Sequence, residues 1–180
     1  MLGKILIFDF GHGFINENLV AEINKIKNKC YINCQSNSSN FGFNLADKYK
    51  SGIALSVDEL ELRLSTKNKY DPLEKIIRNN KKFISKFKNF IVTQGKRGCF
   101  IKNKNNINFI PTLIRDAKDS TGCGDIFFST FLLSDSFKNF DINETGVICH
   151  LAAGLHTKKE GNNNIVNNSI LCNFAKTYLN

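Results

Sequence analysis

Seven residues, Asp119-Ser120-Thr121-Gly122-Cys123-Gly124-Asp125, lead directly into the apolar run Ile126 to Leu133, and their types and spacing suit phosphate chemistry. Two glycines around one small residue, at the start of an amphipathic helix, leave backbone N–H groups to converge on an anion at the positive end of the helix dipole. A carboxylate at Asp125 would repel an anion held for its own sake. It makes sense there as a base that takes the proton from an attacking hydroxyl, which is the arrangement phosphoryl transfer needs. The plainer alternative is a glycine-rich helix start with Asp125 as a capping acid. Capping does not account for the glycines on either side of Cys123.

Around this turn the chain alternates strand-like and helix-like segments. Lys4 to Asp9 is a short apolar run ending in an acid and the turn glycines Gly11 and Gly13, the pattern of a buried parallel strand. Asn16 to Asn28 carries Leu19, Val20, Ile23 and Ile26 at helical spacing, and Cys30 to Cys34 is a second strand. Gln35 to Phe43 is a polar loop at the end of that strand, where open α/β sheets place ligands. Ile53 to Val57 leads into an acidic helix from Asp58. Asp71-Pro72 opens a helix whose apolar face takes Leu73, Ile76, Ile77, Phe83, Ile84 and Phe87. Asn89 to Thr93 is a further strand, followed by a Gly95 to Gly98 turn and a hairpin through Cys99 to Ile101 and Ile107 to Ile110. Thr112 to Ser120 is an extended connector, Asp141 to Lys158 a helix and Ser169 to Leu179 a closing helix. Strands alternating with helices predict a mostly parallel sheet covered on both faces.

The DSTGCGD segment and its Phe-rich helix resemble the C-terminal signature of ribokinase-like carbohydrate kinases of the phosphofructokinase B type, with Cys123 where the family usually has Ala. Three further segments match in order: FDFGHGFI from Phe8 to Ile15, VDELELRL from Val57 to Leu64 and IVTQGKRGCFI from Ile91 to Ile101. Asn33 to Gly52, NCQSNSSNFGFNLADKYKSG, is similar to the kinase half of proteins that fuse a sugar-phosphate kinase to a cytidylyltransferase-like domain, as in heptose-phosphate activation. The resemblance implies a three-layer α/β/α fold. Residues 1–180 would be a single domain, the C-terminal part of the kinase with its N-terminal part missing. It implies ATP-dependent phosphorylation of a sugar or sugar-phosphate hydroxyl, with ATP and magnesium as cofactors. The alternative is a nucleotide-binding fragment or split-kinase subunit without catalysis, partnered by the missing segment or by a fused nucleotidyltransferase domain.

Carried over by position, the family assigns Gly122, Cys123 and Gly124 to the anion hole and Asp125 to the base. Thr93, Gly95, Lys96 and Gly98 fall in the nucleotide-phosphate loop, with Arg97 as a further charge and Thr121 beside the hole. Ala153 and Gly154, next to Ala152, lie where adenine packs, and Asn164 is a weaker candidate near them; small residues at helical spacing also serve close helix packing. Glu59 stands where an acid organises magnesium through water, with Ser56 in place of the family's Asn, and Glu61 is the alternative alignment. A pair of acids at a helix start is equally what the dipole favours. His12, Gln35 and Asn37, with Asn40, Asn44 and Lys48, face the sugar or its phosphate in this scheme, against the view that an Asn-rich chain puts asparagine in every loop.

Composition narrows the field. A chain of 180 residues, 42% hydrophobic, can bury one substantial core. Its net charge of +9 is spread along helices and loops without a clustered basic block, so neither nucleic acid nor membrane is an expected partner. The six cysteines, at 30, 34, 99, 123, 149 and 172, include no C-x-x-C pair and no His at zinc spacing, which fits reduced thiols in the cytoplasm. No stretch approaches the roughly 18 apolar residues needed to span a bilayer, and the start has no secretory pattern.

Overall fold

The computed structural model describes residues 3–114, 117–137, 140–158 and 166–179. Six strands form one sheet in the order β1-β2-β3-β4-β5-β6: β1 Ile5–Asp9, β2 Cys30–Cys34, β3 Gly52–Asp58, β4 Phe87–Thr93, β5 Cys99–Asn103 and β6 Asn106–Ile110. The first four pair in parallel, and the register sets Asp9 beside Cys34, Asn33 beside Ser56 and Asp58 beside Thr93. The carboxyl ends of four strands therefore share one edge. β5 and β6 are joined by a two-residue turn at Lys104-Asn105, a connection only an antiparallel pair permits, so the sheet is mixed but mostly parallel. The contacts divide the chain into two units, Met1–Gln94 with Phe100–Asn108 and Gly95–Cys99 with Phe109–Asn180.

The first unit holds β1 to β4 with the helices α1 Glu17–Lys25, α2 Glu59–Thr66, α3 Leu73–Asn79 and α4 Lys81–Ile84. Its core joins Val20 and Ile23 of α1, Leu62 of α2 and Ile76 and Ile77 of α3 to Ile7, Ile32, Leu55, Phe90 and Val92 of the strands. The alternate strand residues Tyr31, Ala54, Ser56 and Ile91 are buried as well, so both faces of the sheet are covered, as parallel strands require. Asp58 caps α2 in a capping box: its carboxylate accepts the Glu61 N–H at 2.7 Å while Glu61 Oε2 accepts the Asp58 N–H at 2.6 Å.

One expected element divides. The single helix from Pro72 through Phe87 becomes α3 and α4, and Phe87 opens β4 opposite Gly52. Asn80 breaks the helix, leaving helical geometry and donating its side chain to the Ile76 carbonyl at 2.8 Å, the local competition that makes Asn a poor helix former. Phe83 packs edge-on against Phe87 and Phe90 across this break, at 5.9 and 5.7 Å between ring centroids, so the apolar run serves helix and strand together.

The second unit holds α5 Cys123–Phe137, α6 Ile142–His156 and α7 Asn168–Leu179. α5 and α6 pack along their lengths, with Phe127, Phe128 and Phe131 of α5 and Cys149, Leu151 and Ala152 of α6 buried. Asp141 begins α6 with a second capping box, completed by Glu144.

Candidate functional site

In the first unit the sheet's carboxyl edge collects the residues singled out at the ends of β1 to β4. Two loops follow β1 and β2, and asparagines fasten them together. Asn37 and Asn40 each donate Nδ2 to the Phe10 carbonyl at 2.8 Å, and Asn44 donates to the Asp9 and Gln35 carbonyls at 3.2 and 2.9 Å. Gly11 lies where they meet, at φ +70°, with Asn40 Nδ2 only 2.0 Å from where a Cβ would stand. The asparagines are thus structural members of this edge and not a compositional accident. Asn37 also accepts the Ser39 and Asn40 N–H groups, so its amide shapes the loop. His12 is exposed, with Nε2 3.5 Å from Asn37 Nδ2. Gln35 donates Nε2 to Asn33 at 2.5 Å. Beside them Phe14 and Phe43 are 85% and 91% exposed.

Beneath these loops lies Asp9, 2% exposed. Burial alone would raise its carboxyl, but Lys48 Nζ at 2.5 Å, the Tyr49 hydroxyl at 2.7 Å and the Gly11 N–H at 3.1 Å hold it below the usual carboxylate range. Lys48, expected to contact a phosphate or sugar hydroxyls, is bonded to Asp9 and to Asn44 Oδ1. Its charge serves the loop anchor.

The two acids of α2 differ. Glu59 Oε1 accepts Arg63 Nε and Nη2 at 3.0 and 2.8 Å, and its Oε2 accepts Gln94 Nε2 at 2.9 Å. Glu61 is buried and bonds the Ser36 N–H at 2.7 Å as well as its capping partner, so it ties α2 to the loop after β2. Burial, then repulsion from Asp58, pushes its carboxyl up to about 7 against the two N–H bonds that lower it. Thr93, half-buried, ends β4 beside Asp58.

In the second unit Gly95, Lys96 and Arg97 form an exposed turn of 3-10 helix. Its two glycines have different reasons to be glycine. Gly95, at φ +55°, has nothing within 4 Å of a Cβ position, whereas at Gly98, φ +122°, a Cβ would stand 2.2 Å from the Ile110 carbonyl oxygen. Open backbone at Gly95 suits a ligand; Gly98 is required by the chain packed on it.

The glycine turn expected before α5 is formed. Gly122 takes φ +75°, α5 begins at Cys123, and Asp125 stands in the first turn. The Cys123 N–H is bonded to Ser120 O at 3.2 Å and the Ile126 N–H to Gly122 O at 3.0 Å. The Gly124 N–H belongs to the first turn, where helix geometry supplies no intrahelical acceptor, and nothing stands within 4 Å of a Cβ there. The Cys123 thiol reaches Ala153 O at 3.8 Å, and burial, then Asp119 and Asp125, raise it above its ordinary value. Ala153 is half-buried near this turn, while a Cβ on Gly154 would come within 2.3 Å of Ile114, so Gly154 makes room for the connector that runs towards α5. Asn164 lies outside the described residues.

Two participants escaped sequence reasoning. Gln94 holds Glu59. His156, 4% exposed, has Nε2 3.0 Å from the Thr121 carbonyl. Gln94 lies within the quoted IVTQGKRGCFI segment and His156 in none, and neither stands out by type or spacing, since each acts through one long-range hydrogen bond. The Asp58-x-x-Glu61 capping box does leave a signal in the sequence, Asp followed three residues later by Glu before an apolar run.

The sequence model of the pfkB family carbohydrate kinases matches residues 15–168. No curated protein sequence matches the chain. Among solved structures, the ribokinase of Thermotoga maritima is similar at TM-score 0.74 and 22% identity, over 97% of this chain and 57% of that one. Phosphofructokinase-2 of Escherichia coli, in complex with substrates and products, gives TM-score 0.74 at 13% identity over 99% and 59%. A nucleoside kinase of Burkholderia thailandensis with inosine gives 0.70 at 18% identity over 97% and 58%. The fold is ribokinase-like, and the chain spans under two thirds of the length of these kinases.

Proposed function

Because the chain belongs to the pfkB family of carbohydrate kinases, we propose that it binds ATP and takes part in phosphoryl transfer to a hydroxyl of a sugar or sugar phosphate. The observation that carries this is the turn itself: Gly122 in the left-handed region, an open Gly124 and a carboxylate at Asp125 in the first turn of α5. The Gly122 and Gly124 amides hold phosphate oxygens as negative charge moves between donor and acceptor, and Asp125 takes the proton of the attacking hydroxyl. In the second unit this reading gives the remaining phosphates to Lys96, Thr121 and the open backbone of Gly95 and the base to Ala153; Thr93 of the first unit is assigned to nucleotide by the family resemblance alone.

Magnesium, when bound, neutralises charge on the phosphate oxygens. Of the two acids the sequence leaves open, the donor chemistry favours Glu61 over Glu59. Arg63 already compensates Glu59, while Glu61 is raised by burial and then by the charge of Asp58, and among the described residues has no cation beside it to compensate. Among the described residues no three His, Cys, Asp or Glu side chains converge into a cage, which fits an ion held chiefly by phosphates and water.

The sugar side rests on His12 and Gln35, with Asn37 shaping their loop, and on Phe14 and Phe43 as apolar faces for the C–H groups of a ring. The resemblance of Asn33 to Gly52 favours a heptose-phosphate type of substrate and a fused nucleotidyltransferase domain as partner. Six free thiols agree with a cytoplasmic setting, and among the described residues no helix is long and apolar enough to cross a membrane. Nucleotide binding without transfer is the second reading.

Calorimetric titration with Mg-ATP, followed by transfer assays on a panel of sugars and sugar phosphates, tests the proposal. In a form of the protein active in transfer, Asp125→Asn lowers turnover by about a hundredfold or more and keeps ATP affinity. Turnover within a few-fold of the unmutated protein makes Asp125 a capping residue, and a folded chain that binds no ATP at millimolar concentration removes the nucleotide site.

A further inference from the structure

The last turn of α6 holds the segment that leads into α5 at several points. The Thr157 carbonyl accepts the Lys118 and Asp119 N–H groups at 3.1 and 3.4 Å, Ala153 O meets the Cys123 thiol, and His156 Nε2 stands 3.0 Å from Thr121 O. Only the last uses a polar side chain of α6. Because a carbonyl oxygen can only accept, Nε2 carries the proton. His156 is 4% exposed, and its Nδ1 is buried without a hydrogen-bond partner among the described residues. An apolar residue would fill this place without leaving a buried acceptor unmet. The imidazole is explained by the bond its other nitrogen makes.

Thr121 immediately precedes Gly122, whose φ of +75° sets the direction of the amides that follow. The Thr121 carbonyl belongs to the peptide whose other end is the Gly122 N–H, so fixing this oxygen fixes the plane of that N–H. We infer that His156 is a positioning residue, which by donating Nε2–H to the Thr121 carbonyl holds the Gly122 peptide so that its N–H and that of Gly124 face the terminal phosphate of a nucleoside triphosphate. This rests on the assignment of the turn as an anion hole. His156 touches neither phosphate nor acceptor, and it acts through the backbone alone.

The test uses the full chain labelled with 15N-glycine, in unmutated form and as His156→Phe, which keeps a ring and removes the donor, and His156→Gln, whose Nε2–H2 can reach the same carbonyl. His156→Phe shifts the amide signals of Gly122 and Gly124 and leaves distant glycines such as Gly52 in place; His156→Gln returns both toward their original positions. Calorimetry with Mg-ATP and Mg-ADP then gives at least a tenfold loss of ATP affinity in His156→Phe, with ADP affinity within about threefold and both restored in His156→Gln. A purely packing role lowers both affinities together and is not rescued by Gln. Unchanged Gly122 and Gly124 signals in the Phe variant overturn the inference, as does equal loss for ATP and ADP. Should His156→Phe fail to fold, His156→Asn, too short to reach Thr121 O, takes its place with the same outcomes. An unmutated chain that binds neither nucleotide removes the anion hole, while the glycine spectra still decide whether His156 orients the turn.

Discussion

Glu59 and Glu61 stand two residues apart on α2 in opposite electrostatic surroundings, which neither side chain's identity foretells. Glu59 has a bidentate Arg63 and the Gln94 amide, and its charge is compensated within the protein. Glu61 has two backbone N–H donors, a like-charged neighbour at Asp58 and little water. If magnesium is organised at this edge through Glu61, then Glu61→Gln raises the magnesium concentration needed for half-maximal ATP binding by about tenfold or more, while Glu59→Gln changes it by less than about threefold. A magnesium titration of the two variants distinguishes them, and the reverse order restores Glu59 to the role the family alignment suggests. The same lesson applies to Lys48, whose charge is engaged by Asp9.

At the scale of elements, backbone conformation does most of the positioning. Gly95 and Gly98 flank a single turn, both with positive φ, yet only Gly98 has another part of the chain pressed against it. Gly98→Ala combines backbone strain with a clash on the Ile110 carbonyl and is expected to cost about 3 kcal/mol or more. Gly95→Ala adds a Cβ in open space and is expected to cost about 1 kcal/mol, the penalty of a left-handed conformation alone. Urea unfolding of the two variants gives this order, and equal losses would show that the close approach at Gly98 relaxes freely. For Gly95→Ala the larger effect belongs to nucleotide affinity, because the added methyl stands where the loop is open.

Over the whole molecule, buried titratable groups make stability depend on pH. His150 is held down to about 4 by burial, against a hydrogen bond with the Ile110 backbone, from an ordinary 6.5. As pH falls below 6.5 the unfolded chain takes up this proton first, so stability is lost progressively between 6.5 and about 4 and the loss levels off below. The full shift corresponds to about 3 kcal/mol. His150→Phe, keeping a ring against Phe127, is therefore expected to flatten the acid side of the stability curve over that window when urea midpoints are measured from pH 7 to pH 4. Thiol titration reports on the same burial. Cys172 is exposed and reacts quickly with a disulfide reagent, and half-buried Cys123 reacts slowly. Cys30, Cys34, Cys99 and Cys149 react only on unfolding; rapid reaction of any of these four in the folded chain would contradict the packing described.

Features that depend on local pattern could be read along the chain. Alternating apolar runs and glycine turns located β1 to β4, and the Gly-Cys-Gly-Asp start of α5 was legible because helix geometry leaves first-turn amides unpaired whatever surrounds them. The placement of His12, Gln35 and Thr93 at strand ends followed from the same periodicity. Tertiary structure decided the rest. The apolar run from Leu73 to Phe87 could not announce where helix gives way to strand, since Phe83 and Phe87 serve one core from either side of the break. For the asparagines at 37, 40 and 44 the sequence left substrate contact and mere composition both open, and only the fold shows their amides fastening two loops that lie 27 to 35 positions apart in the chain. Gln94, Lys48 and His156 take their roles from partners 35, 39 and 35 residues away. Such pairings are fixed by where the folded backbone brings a donor to an acceptor, a distance in space that spacing along the chain does not encode.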